Sequence, residues 1–271
     1  MKQVLIVATI ALAASFSVLA QKKPPQPKTQ EELKALQAML QATDPDTQIK
    51  AAENVVENFA DSDFKSIALE IIAANYERKG DFSKAVVFGE RTLEADPSNF
   101  DAMLVLAREY TKNTHDTDFD KEDKLKKAEK YTNDAIAAIN AASKPNPKLT
   151  DDQWVEAKKD YTADAHSVLG QIALVRKNPD LAVKEFKIAV DGAANPDPAT
   201  YVRLAQADNL TGNYDDAIAA AEKAMKAPSA APAVKQFAQA EKVRAVQKKG
   251  GANPGANAPA ATPPAGTPPQ Q

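Results

Sequence analysis

Residues 69–85 read Leu69-Glu70-Ile71-Ile72-Ala73-Ala74-Asn75-Tyr76-Glu77-Arg78-Lys79-Gly80-Asp81-Phe82-Ser83-Lys84-Ala85. Leu69, Ile72, Ala73 and Tyr76 recur with the three- and four-residue spacing of one helix face. Gly80 then stands where that helix must stop in a left-handed cap, and Asp81 stands where a second helix begins. The stretch therefore predicts two antiparallel helices joined by a tight turn. A small residue on the first, Ala73, faces a small residue on the second, Ala85, so the two backbones can approach closely.

The same arrangement returns three more times. Met103, Leu106, Ala107 and Tyr110 are followed by Ala128 and Ala135; Leu169 and Gly170 by Ala182, Phe186 and Ala189; Leu204 and Ala205 by Gly212, Asn213, Tyr214, Ala217 and Ala224. Pro97 closes the first unit. From the small residue of the first helix to the Ala of the second the spacing is 12 positions in three units and 21 in the unit holding Ala107. A period near 34 residues indicates stacked helix pairs, each burying its apolar face against its neighbours. On these residues the chain resembles tetratricopeptide repeats, over segments 66–99, 100–142, 163–197 and 198–231, with 30–65 a degenerate pair and 231–248 a capping helix. The resemblance implies a right-handed superhelical array. In that family partners lie in the concave groove lined by the first (A) helices.

Outside the ends, proline falls only between Ala-, Glu- and Lys-rich stretches, where it punctuates helices. The expectation is an all-α solenoid of about eleven helices over 30–42, 46–60, 64–79, 82–95, 99–113, 120–142, 150–177, 179–191, 198–211, 214–226 and 231–248. Lys235, Lys242, Arg244 and Lys248 of the last helix are expected to point outward.

The ends read differently. Residues 1–20, MKQVLIVATIALAASFSVLA, have the charged start, apolar middle and small-residue finish of a secretory signal, with cleavage expected after Ala20. The alternative is an uncleaved anchor, since about 20 apolar residues can span a bilayer. Export places the protein in a periplasmic or extracellular setting, with no integral membrane segment after cleavage. Residues 21–29 form a Lys/Pro-rich linker. The stretch 250–271, with six Pro, four Gly and no charge, lacks the apolar surface to offset the entropy of ordering it.

Composition narrows the chemistry. The 271 residues contain no Cys, which excludes disulfides, thiolate metal sites, a cysteine nucleophile and a lipidated N-terminal Cys. With 34 Lys and Arg against 37 Asp and Glu, no basic excess exists to neutralise nucleic-acid phosphates. His115 and His166 are the two histidines, and no nucleophile elbow, zinc helix, phosphate loop or dinucleotide fingerprint occurs. His166 reads as a partly buried structural residue. The expectation is a non-enzymatic scaffold with no cofactor, binding a protein or peptide. The runner-up is an envelope structural component that works through its basic N-terminal segment and Pro-rich tail.

The unit holding Ala107 gains nine positions at 115–123, HDTDFDKED. Asp116, Asp118 and Asp120 alternate as in a calcium loop, but Lys121 and Lys127 stand where a helix–loop–helix calcium site needs Gly and Glu. A solvated acidic turn is the stronger reading, and calcium is kept as the weaker one.

Carrying the family's groove positions over gives Glu70, Glu77 and Arg78; Asp101, Arg108 and Lys112; Asp164, Gln171 and Leu174; Val202, Gln206, Asn209 and Leu210. Chaperone-binding members hold a carboxylate with a Lys/Asn clamp at such positions, and Glu70 and Ala74 stand there instead. Arg78, Arg108 and Lys112 are expected to meet acidic groups, and Leu174, Val202 and Leu210 apolar ones. The alternative is an ordinary solvated helix face. Trp154, on the projecting start of the long helix 150–177, is either an aromatic anchor or packs on helix 120–142, with Tyr161 along the same stripe.

Overall fold

The computed structural model describes residues 25–145 and 148–250, and the signal segment and the Pro-rich tail after Gly250 lie outside it. Its order is α1 (Gln30–Gln41), α2 (Pro45–Asn58), α3 (Lys65–Lys79), α4 (Phe82–Ala95), α5 (Phe100–Lys112), α6 (Lys121–Ala141), α7 (Asp151–Val175), α8 (Pro179–Gly192), α9 (Pro198–Thr211), α10 (Tyr214–Lys226) and α11 (Pro232–Lys249). No strand occurs among the described residues.

Each helix packs on the next in sequence. The A helices also touch across the pairs, α3 with α5, α5 with α7 and α7 with α9, while no second (B) helix meets the next B helix to a comparable extent. Closer spacing on one side bends a stack toward that side, so the A helices form the concave layer. At the start α1 packs on α2, and α2 carries the pair onto α3, with Met39, Ile49, Ala52 and Val55 buried beside Ala68 and Ile72.

The small residues sit where the helices approach. Ala73, Ala85, Ala107, Ala128, Ala135, Ala182, Ala205, Ala217 and Ala224 are completely buried. A Cβ added at Gly170 would lie 2.5 Å from the Phe186 ring, so this glycine makes room for the largest fully buried side chain. The first clear pair inverts the arrangement: Gly89 on the B helix leaves space for Leu106 of the next A helix, whose side chain would be 2.9 Å from a Cβ there.

Three A helices end through the same turn. Gly80 (φ 71°) and Gly212 (φ 82°) are left-handed, and the amide two residues beyond the helix closes the turn, Asp81 onto Tyr76 O and Asn213 onto Asp208 O. In the third unit the left-handed residue is Lys177 (φ 61°), with Asn178 N on Ala173 O at 2.9 Å. The sequence offers no glycine there, so the expected helix ran to 177; it stops at Val175. Asp81 caps α4 through its carboxylate, whereas Asn213, in the matching place, turns its amide to Thr211 and makes no side-chain cap.

The last helix departs from expectation. Lys242 donates to Glu222 of α10 at 2.6 Å, Arg244 to Glu241 at 2.7 Å, and Lys248 reaches Asn209 O of α9 at 3.5 Å. These three residues rim the junction instead of pointing away from it, and Val243 and Val246 are exposed. Lys242 bends toward a carboxylate of α10, Arg244 toward one of its own helix, and Lys248 toward a backbone carbonyl of α9.

Candidate functional site

On the concave layer Arg108 of α5 is the central group. Its Nε and one terminal nitrogen donate to the two oxygens of Glu77 on α3 at 2.6 and 2.9 Å, and the other terminal nitrogen donates to Asp164 on α7 at 2.7 Å. One planar guanidinium thus ties three successive A helices, a geometry a lysine cannot reproduce. The two partners hold the Arg108 charge more firmly than water would.

Two further carboxylates face the same region without a cation of their own. Burial, then the charge of Glu70, pushes the Asp101 carboxyl up to about 7, against the pull of Arg108. Glu70 is also raised, first by burial and then by Asp96, although it accepts from Asn99 Nδ2 at 2.9 Å. Tyr161 of α7 lies beside both, held edge-on to Phe100 of α5 with ring centroids 4.8 Å apart; burial and these carboxylates raise its hydroxyl. On α9, Arg203 approaches Asp197 at 3.8 Å, and burial works against its charge. Glu77, Asp101 and Asp164 act on Arg108, Glu70 acts on Asp101, and Asp164 also acts on Arg203, so four carboxylates face two guanidinium groups and the cluster keeps an excess of negative charge.

The other groove residues divide by what already occupies them. Arg78 donates to Asn75 and Gln48, joining α3 to α2, and Lys112 donates to the buried Glu109 at 2.9 Å. With Arg108 also engaged, all three cations expected to meet an external acid have partners inside the chain. Leu174 and Val202 pack against the C-terminal core and are not free anchors. Asn209 is 2% exposed because α11 covers it, and its amide donates to Glu241 O and Oε2 at 3.0 and 2.9 Å. Gln171 is half-buried, with its amide on Ser167 O, and Gln206 is half-buried. Leu210 is 58% exposed at the edge of the layer. Asn99 and Arg203 were missed by the sequence reading, because one lies in a turn and the other one residue past the family's groove position at 202.

Away from the groove, Trp154 is half-buried under Lys158, whose ammonium sits 5.4 Å from the ring. Tyr161 belongs to the α5–α7 contact. His166 Nδ1 lies 2.7 Å from Glu185 Oε2 on α8, so this ring joins the two helices of its pair. In the insertion Asp116 pairs with Lys121 and Lys177, Asp118 with Lys124, and Asp120 with Lys124. Three lysines thus take the charge a calcium ion would need, and among the described residues no group of three or more His, Asp or Glu side chains could hold a metal ion. None of the described helices is long and apolar enough to cross a membrane.

No family model matches the sequence, and no curated protein matches it. Among solved structures, the chain is similar to the crystal structure of a thermophilic TPR protein from Thermus thermophilus, with a TM-score of 0.57 and 17% identity over 78% of this chain and 99% of that one. The fold is that of a tetratricopeptide-repeat array. At that identity the likeness concerns the fold alone.

Proposed function

We propose that the chain is an exported, non-enzymatic scaffold that holds an extended segment of a partner protein against its A helices, and that this segment brings Lys or Arg side chains to Asp101 and Glu70. The observation that carries the reading is the charge imbalance at the centre of the concave layer: four carboxylates against the guanidinium groups of Arg108 and Arg203, with two of the carboxylates, Glu70 and Asp101, raised by burial. A bound cation would offset that desolvation by direct attraction, so complementarity here favours basic segments over acidic ones. Arg108 and Lys112 are engaged in ion pairs within the chain, and Arg78 is hydrogen-bonded to Asn75 and Gln48, which leaves less to recognise an acidic partner. Export rests on residues 1–20, and a mature protein beginning at Gln21 is the expected product.

Selection of random peptides displayed against the full chain tests the chemistry. Recovered sequences should be enriched in Lys and Arg, and the enrichment should vanish for Glu70→Gln with Asp101→Asn. Acidic consensus sequences, or a basic consensus that the double variant still selects, would refute the assignment.

A further inference from the structure

Tyr76 and Asp208 occupy equivalent places. Each lies in the last turn of an A helix and gives its carbonyl to the amide beyond the left-handed glycine, Tyr76 to Asp81 and Asp208 to Asn213. In the first unit the place is filled by an aromatic ring stacked on Phe88 of the B helix. In the fourth it is filled by a carboxylate that is 0% exposed, with no hydrogen-bond partner for either oxygen. A buried acid without a donor favours its neutral form, and a site that breaks the packing rule of its own repeat is where function is expected.

The charged surroundings are asymmetric. From α8 Lys187 pulls toward ionisation; from α10 Asp216 opposes it, while Lys187 and Asp216 form their own bridge between those helices at 3.0 Å. Asn213, at the turn that joins α9 to α10, brings its side-chain amide close enough to favour ionisation weakly, but that amide is hydrogen-bonded to Thr211 and not to the carboxylate. On the remaining neighbours, α11 directs Glu241 and Lys248 to Asn209, and Asp164 of α7 acts on Arg203.

We propose that Asp208 makes the junction of α8, α9 and α10 a proton-dependent joint. Protonated, the carboxyl stays enclosed and the Lys187–Asp216 bridge is intact; ionised, it draws Lys187 away from Asp216 and the last helix pair, with α11, is held less firmly. The sign follows from the direction of the shift. Burial, above all, raises Asp208 from the ordinary 3.8 to about 6, so the folded joint keeps a proton that the open one releases. Its stabilisation is complete below the ordinary value and is lost as pH rises through about 6. A shift of this size makes the closing constant fall roughly tenfold between pH 5 and 7.5.

Carbon-13 carboxyl titration of the full chain, read with hydrogen exchange in α9 and α10, tests this. Asp208 should titrate near 6, lower in Asp216→Asn and higher in Lys187→Met. Opening of α9 and α10 should increase about tenfold more from pH 5 to 7.5 in the wild type than in Asp208→Asn. An ordinary midpoint, or a midpoint unmoved by the two neighbour variants, overturns the proposal even if Asp208→Asn does not fold. A raised midpoint with equal opening in Asp208→Asn and the wild type also overturns it.

Discussion

Arg108 was legible in the sequence as a groove residue, but its partners were not, because they come from helices 31 and 56 positions away. Its removal leaves Glu77 largely buried without a donor, so Arg108→Ala should lower stability by about 2 kcal/mol in urea unfolding, and Arg108→Lys should recover only part of it. Asp101 behaves in the opposite sense. Its folded value, about 7, lies above the ordinary 3.8, so the stability it contributes in acid is lost as pH rises toward 7. Asp101→Asn should therefore be more stable than the wild type at pH 8, by on the order of 2 kcal/mol, and the gain should shrink toward pH 5. A gain that is the same at both pH values would contradict the charge assignment. Asn209, Leu174 and Val202 show the limit of reading a face from repeat numbering. Periodicity assigns a residue to a side of its helix, but what covers that side depends on the neighbouring element.

At the scale of the element, helix number and order were legible because caps, prolines and glycines mark the ends. The exception is instructive. At the end of α7 the fold requires a left-handed residue where the chain supplies Lys177; Asn178 and Pro179 mark the break, but no glycine fixes where the helix stops. Since glycine adopts that conformation without the Cβ clash, Lys177→Gly should raise the melting temperature, with a gain of about 1 kcal/mol. The exposed Lys177–Asp116 pair lost in the exchange contributes little. A lower melting temperature would show that the turn is not strained. Gly170 is constrained by packing instead: Gly170→Ala forces a methyl group into the Phe186 ring and should destabilise by about 1–3 kcal/mol in urea unfolding, despite alanine's higher helix propensity. A neutral or stabilising effect would mean that α7 and α8 can separate at little cost. Burial of the small residues agrees with the close approach inferred from their spacing. The turn of Lys242 toward Glu222 and of Lys248 toward Asn209 O was not visible, since composition shows that a helix is basic but not which groups of the neighbouring helices lie beside it.

For the whole molecule, absent cysteines leave stability to contacts between successive pairs, and the same stacking creates the concave layer on which the functional reading rests. The array was legible from its period. The character of its inner surface was not, because charge balance in a groove depends on which ion pairs close across helices. Arg108 and Lys112 close ion pairs within the chain, Arg78 bonds to Asn75 and Gln48, and Glu70 and Asp101 are left without an ion pair. The most direct measurement is therefore amide-shift mapping of the full chain with two blocked decapeptides, one alternating Lys and Ala and the other Glu and Ala. The Lys peptide should shift inner residues of α3, α5 and α7, Glu70→Gln with Asp101→Asn should abolish those shifts, and the Glu peptide should have no effect. Shifts spread over the B helices, or a stronger response to the Glu peptide, would contradict the proposed preference for basic segments.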